Sequence, residues 1–493
     1  MPGTDLAETV DHDDGYKWRA FAAIAISFVT MVMSISMVFV ALSAIAAEYG
    51  VTLRAVSWVV IVQALTITAL MLPMGRLADI IGRRRVHLIG LGLFAGGSIG
   101  CALAPSLGTL LAARVVMAVG NSMGQSVGSA MVVSVFPPEE RGRAIGSQAS
   151  AVAVGAAAGP ILAGLVLQAF SWRALFVIVT VPILVAFVAG YRILDEARVT
   201  PDNHNAEASF DHLGAVLSSL AVVAVVLTMS NPLALPWGSP VIVAGTVVGV
   251  ALLGAFVWWE LRTVSPMLDI HLFRNRVLAT AIATRLIGFT AGTASQLLLP
   301  IFLISYRGMR EGAAGAVMFL SAVGLGLASQ VCGRLTDRLG ERRFLVLGFG
   351  GSMAAAVGLG MIEDTTPLVL VTVVVFANGL AQGTWAVPNN SVVMGSVPRS
   401  MLGVAGALSN LTRNVGSVIG QAIAAAVVAA VMVSRGFDIA LDEVRDTPGA
   451  GAAFLEGWQR AYVVVVVLAL AGLVLTLLVR PDQFDDPGGT DRP

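Results

Sequence analysis

Two stretches of this chain set a carboxylate, arginines and glycines at one fixed spacing. The first reads Gly75-Arg76-Leu77-Ala78-Asp79-Ile80-Ile81-Gly82-Arg83-Arg84-Arg85, and the second Gly333-Arg334-Leu335-Thr336-Asp337-Arg338-Leu339-Gly340-Glu341-Arg342-Arg343. A carboxylate that faces arginines and a neighbouring helix N-terminus can hold two helical bundles together on one face of a membrane. The plainer reading is that arginines following an apolar run only anchor its end in the cytoplasm. Recurrence of the glycines and the aspartate in register favours the latch, with Gly75, Asp79, Gly82, Arg83, Arg84, Gly333, Asp337 and Arg342 as its gating candidates. The copies are unequal, because Glu341 stands where the first copy has Arg83.

A second set of charges lies inside apolar runs, where charge is costly and usually functional. These are Arg114, Arg285 and Arg413; for each, snorkelling from a nearby helix end is the bland alternative. No Asp or Glu falls deep in any run, since Glu48, Asp79, Glu260, Asp337 and Glu363 all sit at edges. Ser34, Trp58, Gln63, Gln125, Gln296, Asn378, Gln382, Trp385 and Asn410 could line a central cavity together with Arg285 and Arg413. Amides and aromatics give such a site many ways to hold a mostly apolar molecule, and hydrogen bonding between helices explains each of them equally well. Gly155, Gly159, Pro160 and Gly164 suit a close-packed, bendable helix between two lobes, with ordinary tight packing as the alternative. No nucleophile–base pair, metal-ligand cluster, nucleic-acid motif or G-x-x-x-x-G-K-[ST] loop is present, so neither an enzyme, a cofactor nor ATP-driven transport is expected.

The elements that must position these residues are membrane helices. The chain is 57% hydrophobic and only 12% charged, far from a soluble composition. A span needs about 20 apolar residues. That ruler gives spans near 18–47, 55–75, 86–104, 108–136, 144–170, 172–194, 213–231 and 240–259. Six more follow near 277–305, 312–333, 344–362, 367–396, 401–434 and 458–479. The motif copies fall between spans and read as short charged loops. Arginines crowd the loops on one side, which the positive-inside rule assigns to the cytoplasm together with both termini. Cys101 and Cys332 read as small apolar residues inside spans and not as a disulfide.

Eight spans lie between the two copies, whereas a plain duplication of six would leave six. Two helices, 213–231 and 240–259, are therefore read as an insertion after the polar linker that begins at Asp195. The expected architecture is an all-α polytopic membrane protein: a cytoplasmic tail (1–17), a six-helix bundle (18–196), a linker carrying two inserted helices (197–276), a second six-helix bundle (277–480) and a tail (481–493).

Gly75–Arg85 resembles the loop between the second and third helices of the major facilitator superfamily. The stretch from Gly155 to Gly164 resembles that superfamily's fifth-helix antiporter motif. Ser171-Trp172-Arg173 with Val181-Pro182, and Trp258-Trp259-Glu260 through Ser265-Pro266 to Phe273-Arg274, resemble the fourteen-helix drug:proton antiporters. The resemblance implies the major facilitator fold, and a secondary exporter of amphipathic, drug-like compounds working by alternating access as a monomer, with protons as the candidate coupling ion. Arg114 matches the arginine of the family's fourth-helix motif, implicated in proton coupling, although Met117 and Ala118 replace the usual Gln and Gly. The family's first-helix acid is missing: Val40-Ala41-Leu42-Ser43 keeps the ending of its pattern, but Ser34 occupies the acid's place. Three buried arginines without an acid favour a neutral, lipid-like or anionic substrate. The alternative function is thus a carrier for an anionic metabolite or lipid, coupled differently.

Overall fold

The computed structural model describes residues 14–200, 209–233, 235, 238–437, 439, 444–445 and 447–479. Its first six helices are α1 (Asp14–Tyr49), α2 (Leu53–Ile81), α3 (Arg83–Ala102), α4 (Leu107–Val135), α5 (Arg141–Ala169) and α6 (Arg173–Ile193). A four-residue turn, α7 (Glu196–Val199), leads to α8 (His212–Ser230) and α9 (Pro240–Glu260). The last six are α10 (Arg276–Pro300), α11 (Glu311–Leu339), α12 (Glu341–Gly360), α13 (Leu368–Gly395), α14 (Leu402–Ser434) and α15 (Ala450–Leu478). Fourteen of these helices, all but α7, are long and apolar enough to cross a membrane. Of the expected tails, residues 1–13 and 481–493 lie outside the described residues, as does residue 480 of the second bundle, and 14–17 are already helical.

The spans are helical because a chain in hydrocarbon must satisfy its backbone polar groups within the segment. Side-chain caps mark several starts: Thr52 accepts from the Ala55 N–H, Ser106 and Thr109 form a capping box, and Asn275 accepts from Val277 and Leu278. One expectation needs correction. Gly75–Ile81 is no loop but the last two turns of α2, and Gly333–Leu339 likewise ends α11. Charge alone does not end a helix. The break is a single residue, Gly82 at φ +103° and Gly340 at φ +81°, backbone that a Cβ disfavours.

The helices pair twice in the same pattern. In the first bundle α1 packs on α5 and α6, and α4 on α2 and α3, with α3 also on α6. In the second, α10 packs on α14 and α15, and α13 on α11 and α12, with α12 also on α15. The bundles meet along α2/α14, α4/α14, α5/α11 and α5/α13. The inserted helices α8 and α9 pack on each other, and α8 lies against both α2 and α14, so the pair covers one flank of this seam. There Leu72 of α2, Phe256 of α9, and Val404 and Leu408 of α14 share one apolar cluster. The outer side of α9 leaves Val241, Val247 and Val250 exposed, a surface suited to lipid.

Candidate functional site: two latches and a central polar cluster

Asp79 is buried at the end of α2 and reaches across the seam to the first turn of α14. One oxygen, Oδ1, accepts the Gly403 N–H at 3.1 Å, and the other, Oδ2, accepts the Val404 N–H at 2.9 Å. Arg83, four residues on, donates Nε (3.2 Å) and Nη2 (3.1 Å) to the same Oδ1. Its Nη1 binds Ser134 Oγ and the Val199 carbonyl, while its backbone N–H donates to Thr200 Oγ1. The carboxylate thus faces a helix N-terminus and a guanidinium together, an arrangement that favours its anion on both counts.

The second copy makes the mirror contact. Asp337, at the end of α11, accepts the Gly142 N–H at 2.7 Å and the Arg143 N–H at 3.0 Å, in the first turn of α5. Asp337 is exposed, and among the described residues no arginine is paired with it as Arg83 is with Asp79. Glu341 instead accepts from Ser391 Oγ.

The first glycine of each copy sets how closely the bundles approach. A Cβ on Gly75 would stand 2.5 Å from Ala407 Cβ and 2.9 Å from the Gly403 oxygen. One on Gly333 would stand 2.5 Å from the Gly142 oxygen. The third arginine of each copy turns into its own bundle: Arg84 donates to the Tyr191 carbonyl at the end of α6, and Arg342 to the Leu477 carbonyl at the end of α15. These two do not span the seam, and they neutralise the carbonyl end of a helix.

Among the described residues, the hydrogen bonds between the bundles fall in the half of the helices nearest the arginine-rich ends. Beyond the latches they are Ser150 Oγ to the Gly326 carbonyl (3.1 Å), Asn410 Nδ2 to the Gln125 carbonyl (2.9 Å), Arg413 Nη2 to Gln125 Oε1 (2.9 Å), and Asn414 Nδ2 to Thr68 Oγ1 (3.5 Å) and Met71 Sδ (3.7 Å).

The structure places the coupling candidate Arg114 and the sequence's cavity candidates in separate groups. Arg114, fully buried within the first bundle, donates Nη2 to Gln63 Oε1 and Nε to the Val59 carbonyl, with its guanidinium 5.6 Å from the Phe176 ring centre. Ser34 is buried and donates to the Met31 carbonyl of its own helix at 2.9 Å. Trp58 packs in an apolar cluster with Val222 and Val226 of α8 and Leu411 and Val418 of α14. Trp385 stacks on Phe349 with ring centres 5.2 Å apart. Together with Asn378 and Gln382 it lines a cavity of about 10 Å³ inside the second bundle, room for roughly one water. Gln296 donates to Gln382 across that bundle at 3.5 Å.

Of the cavity candidates, Gln125, Asn410 and Arg413 bond across the seam, and Arg285 holds the turn of α14 just before Arg413. Arg285 Nε binds the Ser409 carbonyl of α14 at 2.9 Å, and its Nη1 points to Asn389 Oδ1 at 3.4 Å. Asn389 in turn donates to the Ala281 carbonyl and Thr284, tying α13 to α10.

In α5, Gly155 and Gly159 are seated against α1: a Cβ on Gly155 would stand 2.5 Å from the Val29 oxygen, and one on Gly159 would meet Ser36 Oγ and, at 2.8 Å, the Met33 oxygen. Gly164 has no neighbour within 4 Å of such an atom, and Pro160 is exposed within a continuous helix. Sequence reasoning missed the backbone partners of the latches, together with Ser134, Val199 and Thr200 around Arg83. The one signal for them was the proline-bearing loop before α5 and again before α14.

The profile of the Major Facilitator Superfamily matches residues 23–421. The riboflavin transporter RibZ of Clostridioides difficile is 27% identical over 94% of this chain and 97% of its own. The multidrug resistance protein Stp of Mycobacterium tuberculosis is 32% identical over 77% of this chain and 70% of its own. The proton:xylose symporter XylE superposes with a TM-score of 0.63, covering 94% of this chain and 96% of its own; at 11% identity that likeness shows the fold alone. The duplicated bundles, the fourteen spans and these matches agree: the chain belongs to the Major Facilitator Superfamily, a family of multi-pass membrane transporters of small molecules.

Proposed function

We propose that the protein is a secondary exporter of amphipathic, drug-like compounds that works by alternating access as a monomer in the plasma membrane. The observation that carries this reading is the pair of mirrored latches, each setting a carboxylate of one bundle on a helix N-terminus of the other. Two bundles joined by few polar contacts on one face, with closely crossing glycines, form a bistable joint of the kind that rocks as rigid bodies. The moving lobes are 18–196 and 277–480, and α8 and α9 of the segment 197–276 are the strap across one flank. With the arginine-rich face and both termini in the cytoplasm, the arrangement described above is the one shut toward the cytoplasm. Stp, a relative named for multidrug resistance, supports the substrate class.

Proton coupling in this reading does not use a first-helix carboxylate, because Ser34 is committed to its own backbone. Arg114 with Gln63 is the coupling candidate, a charge held wholly inside one lobe by neutral partners. Purified protein in liposomes carrying an imposed pH gradient tests the proposal. A fluorescent amphipathic dye should move only in protein-bearing vesicles and should stop when an ionophore dissipates the gradient. Movement indifferent to the protein would refute export, and movement indifferent to the gradient would refute proton coupling.

A further inference from the structure

Two cations at mid-depth, Arg413 in the seam and Arg285 on the same turn of α14, have no counter-charge among the described residues. Arg285 lies nine residues into α10 and Arg413 eleven residues into α14, both helices starting at the arginine-rich face. At about 1.5 Å per residue each is roughly 15 Å from that face, near the middle of a hydrocarbon core about 30 Å thick. Both converge on one turn of α14, since Arg285 binds the carbonyl of Ser409, four residues before Arg413. Their hydrogen-bond partners among the described residues are neutral: Ser409, Asn389 and Gln125. Arg83, Arg173, Arg435 and Arg460, by contrast, each meet a carboxylate.

What remains unsatisfied here is donors. A guanidinium carries five N–H groups, and Arg413 uses one on Gln125. Neither Arg285 nor Arg413 has a fully buried nitrogen without a partner. Their spare donors, Arg285 Nη2 and Arg413 Nε among them, therefore open onto accessible space. Beside them Asn121, fully buried, gives its oxygen to Gln125 Nε2 at 2.6 Å and keeps its own Nδ2 unpartnered. Two desolvated cations and a spare amide donor call for an acceptor carrying negative charge, and a planar guanidinium fits a carboxylate or phosphate in two-pronged fashion. The Phe289 ring, with its centre 5.2 Å from the Arg285 guanidinium, offers an apolar surface next to it.

We propose that Arg285 and Arg413 form the head-group site for the anionic group of an amphipathic substrate. The proposal rests on the exporter reading above and narrows its substrate. An anion that draws Arg413 away from Gln125 also releases one of the bonds between the bundles, so binding and opening act on the same contact.

The test uses the purified full-length protein in nanodiscs and two dyes, pyrenebutyrate and pyrenebutanol, which differ at the carboxylate. The acid should bind roughly tenfold or more tightly than the alcohol, the factor of a single charge-assisted bond. Arg285→Gln and Arg413→Gln should each abolish that preference, and Arg413→Lys, which keeps the charge, should retain most of it. Equal binding of the two dyes by the wild-type protein, or a preference that survives both glutamine variants, overturns the proposal. Export of pyrenebutanol from liposomes alongside equal binding leaves the exporter reading standing without the anion site. If neither dye binds or moves, both fall.

Discussion

The two latches give a ranking that can be measured: Asp79→Asn should shift the protein toward opening at the arginine-rich face far more than Asp337→Asn. Each aspartate uses both oxygens on backbone N–H donors of the opposite bundle. An asparagine turned either way presents its NH2 to one of those donors and keeps only a neutral acceptor for the other. For Asp79, whose side chain is 3% exposed, losing the charge-assisted part of two bonds costs about 3 kcal/mol. That changes the open-to-closed ratio by about two powers of ten. For exposed Asp337, solvent screens the same loss to about 1 kcal/mol or less.

A second consequence separates the latch from the fold. Asp79 and Arg83 belong to the same bundle, and Arg83 is 1% exposed. Asp79→Asn leaves that guanidinium buried without its counter-charge, a penalty of about 3–5 kcal/mol on bundle stability. Adding Arg83→Gln should therefore recover thermal stability without restoring closure. The assay is pulsed electron resonance between spin labels at Arg192 and Arg343, both exposed on the arginine-rich face in opposite bundles, in a background lacking Cys101 and Cys332. Unfolding temperatures are read in parallel. Equal opening in the two aspartate variants, or greater opening in Asp337→Asn, would refute the assignment of strength to burial and to Arg83.

Three further outcomes follow from the same contacts. Gly82→Ala forces a Cβ onto φ +103° and against the Glu196 carboxylate, so it should destabilise by about 1–3 kcal/mol; Gly340→Ala has open space around it and should cost less in the same thermal melt. Gly159→Leu would drive a side chain into Met33 and Ser36 of α1 and should abolish monodisperse expression, whereas Gly164→Leu should leave the elution profile unchanged. Arg114→Gln should stop dye movement driven by a pH gradient while downhill exchange of the same dye persists, and loss of both would mark Arg114 as structural.

The sequence disclosed the spans and their duplication because membrane helices announce themselves by length and apolarity, which need no knowledge of partners. It misjudged Gly75–Ile81 because charge suggests a loop, whereas the helix runs on until one glycine turns the backbone. It named Arg114, Arg285 and Arg413 alike as charges inside apolar runs, and the structure sets Arg114 in the first bundle and the other two in the second. A helix apolar on every side carries little record of which face meets which neighbour, so the depth of a charge is legible and its direction is not. The latches were half legible for a related reason. Asp79 and Asp337 stand out, but their partners are the backbone N–H groups of Gly403, Val404, Gly142 and Arg143. A backbone donor is the same at every position but proline, so it leaves no letter to find. What betrays the crossing is the steric demand beside it. Gly75 and Gly333 lie one helical turn before the aspartates, where a Cβ would strike the opposite helix, and their recurrence with the acid marks where the bundles must touch.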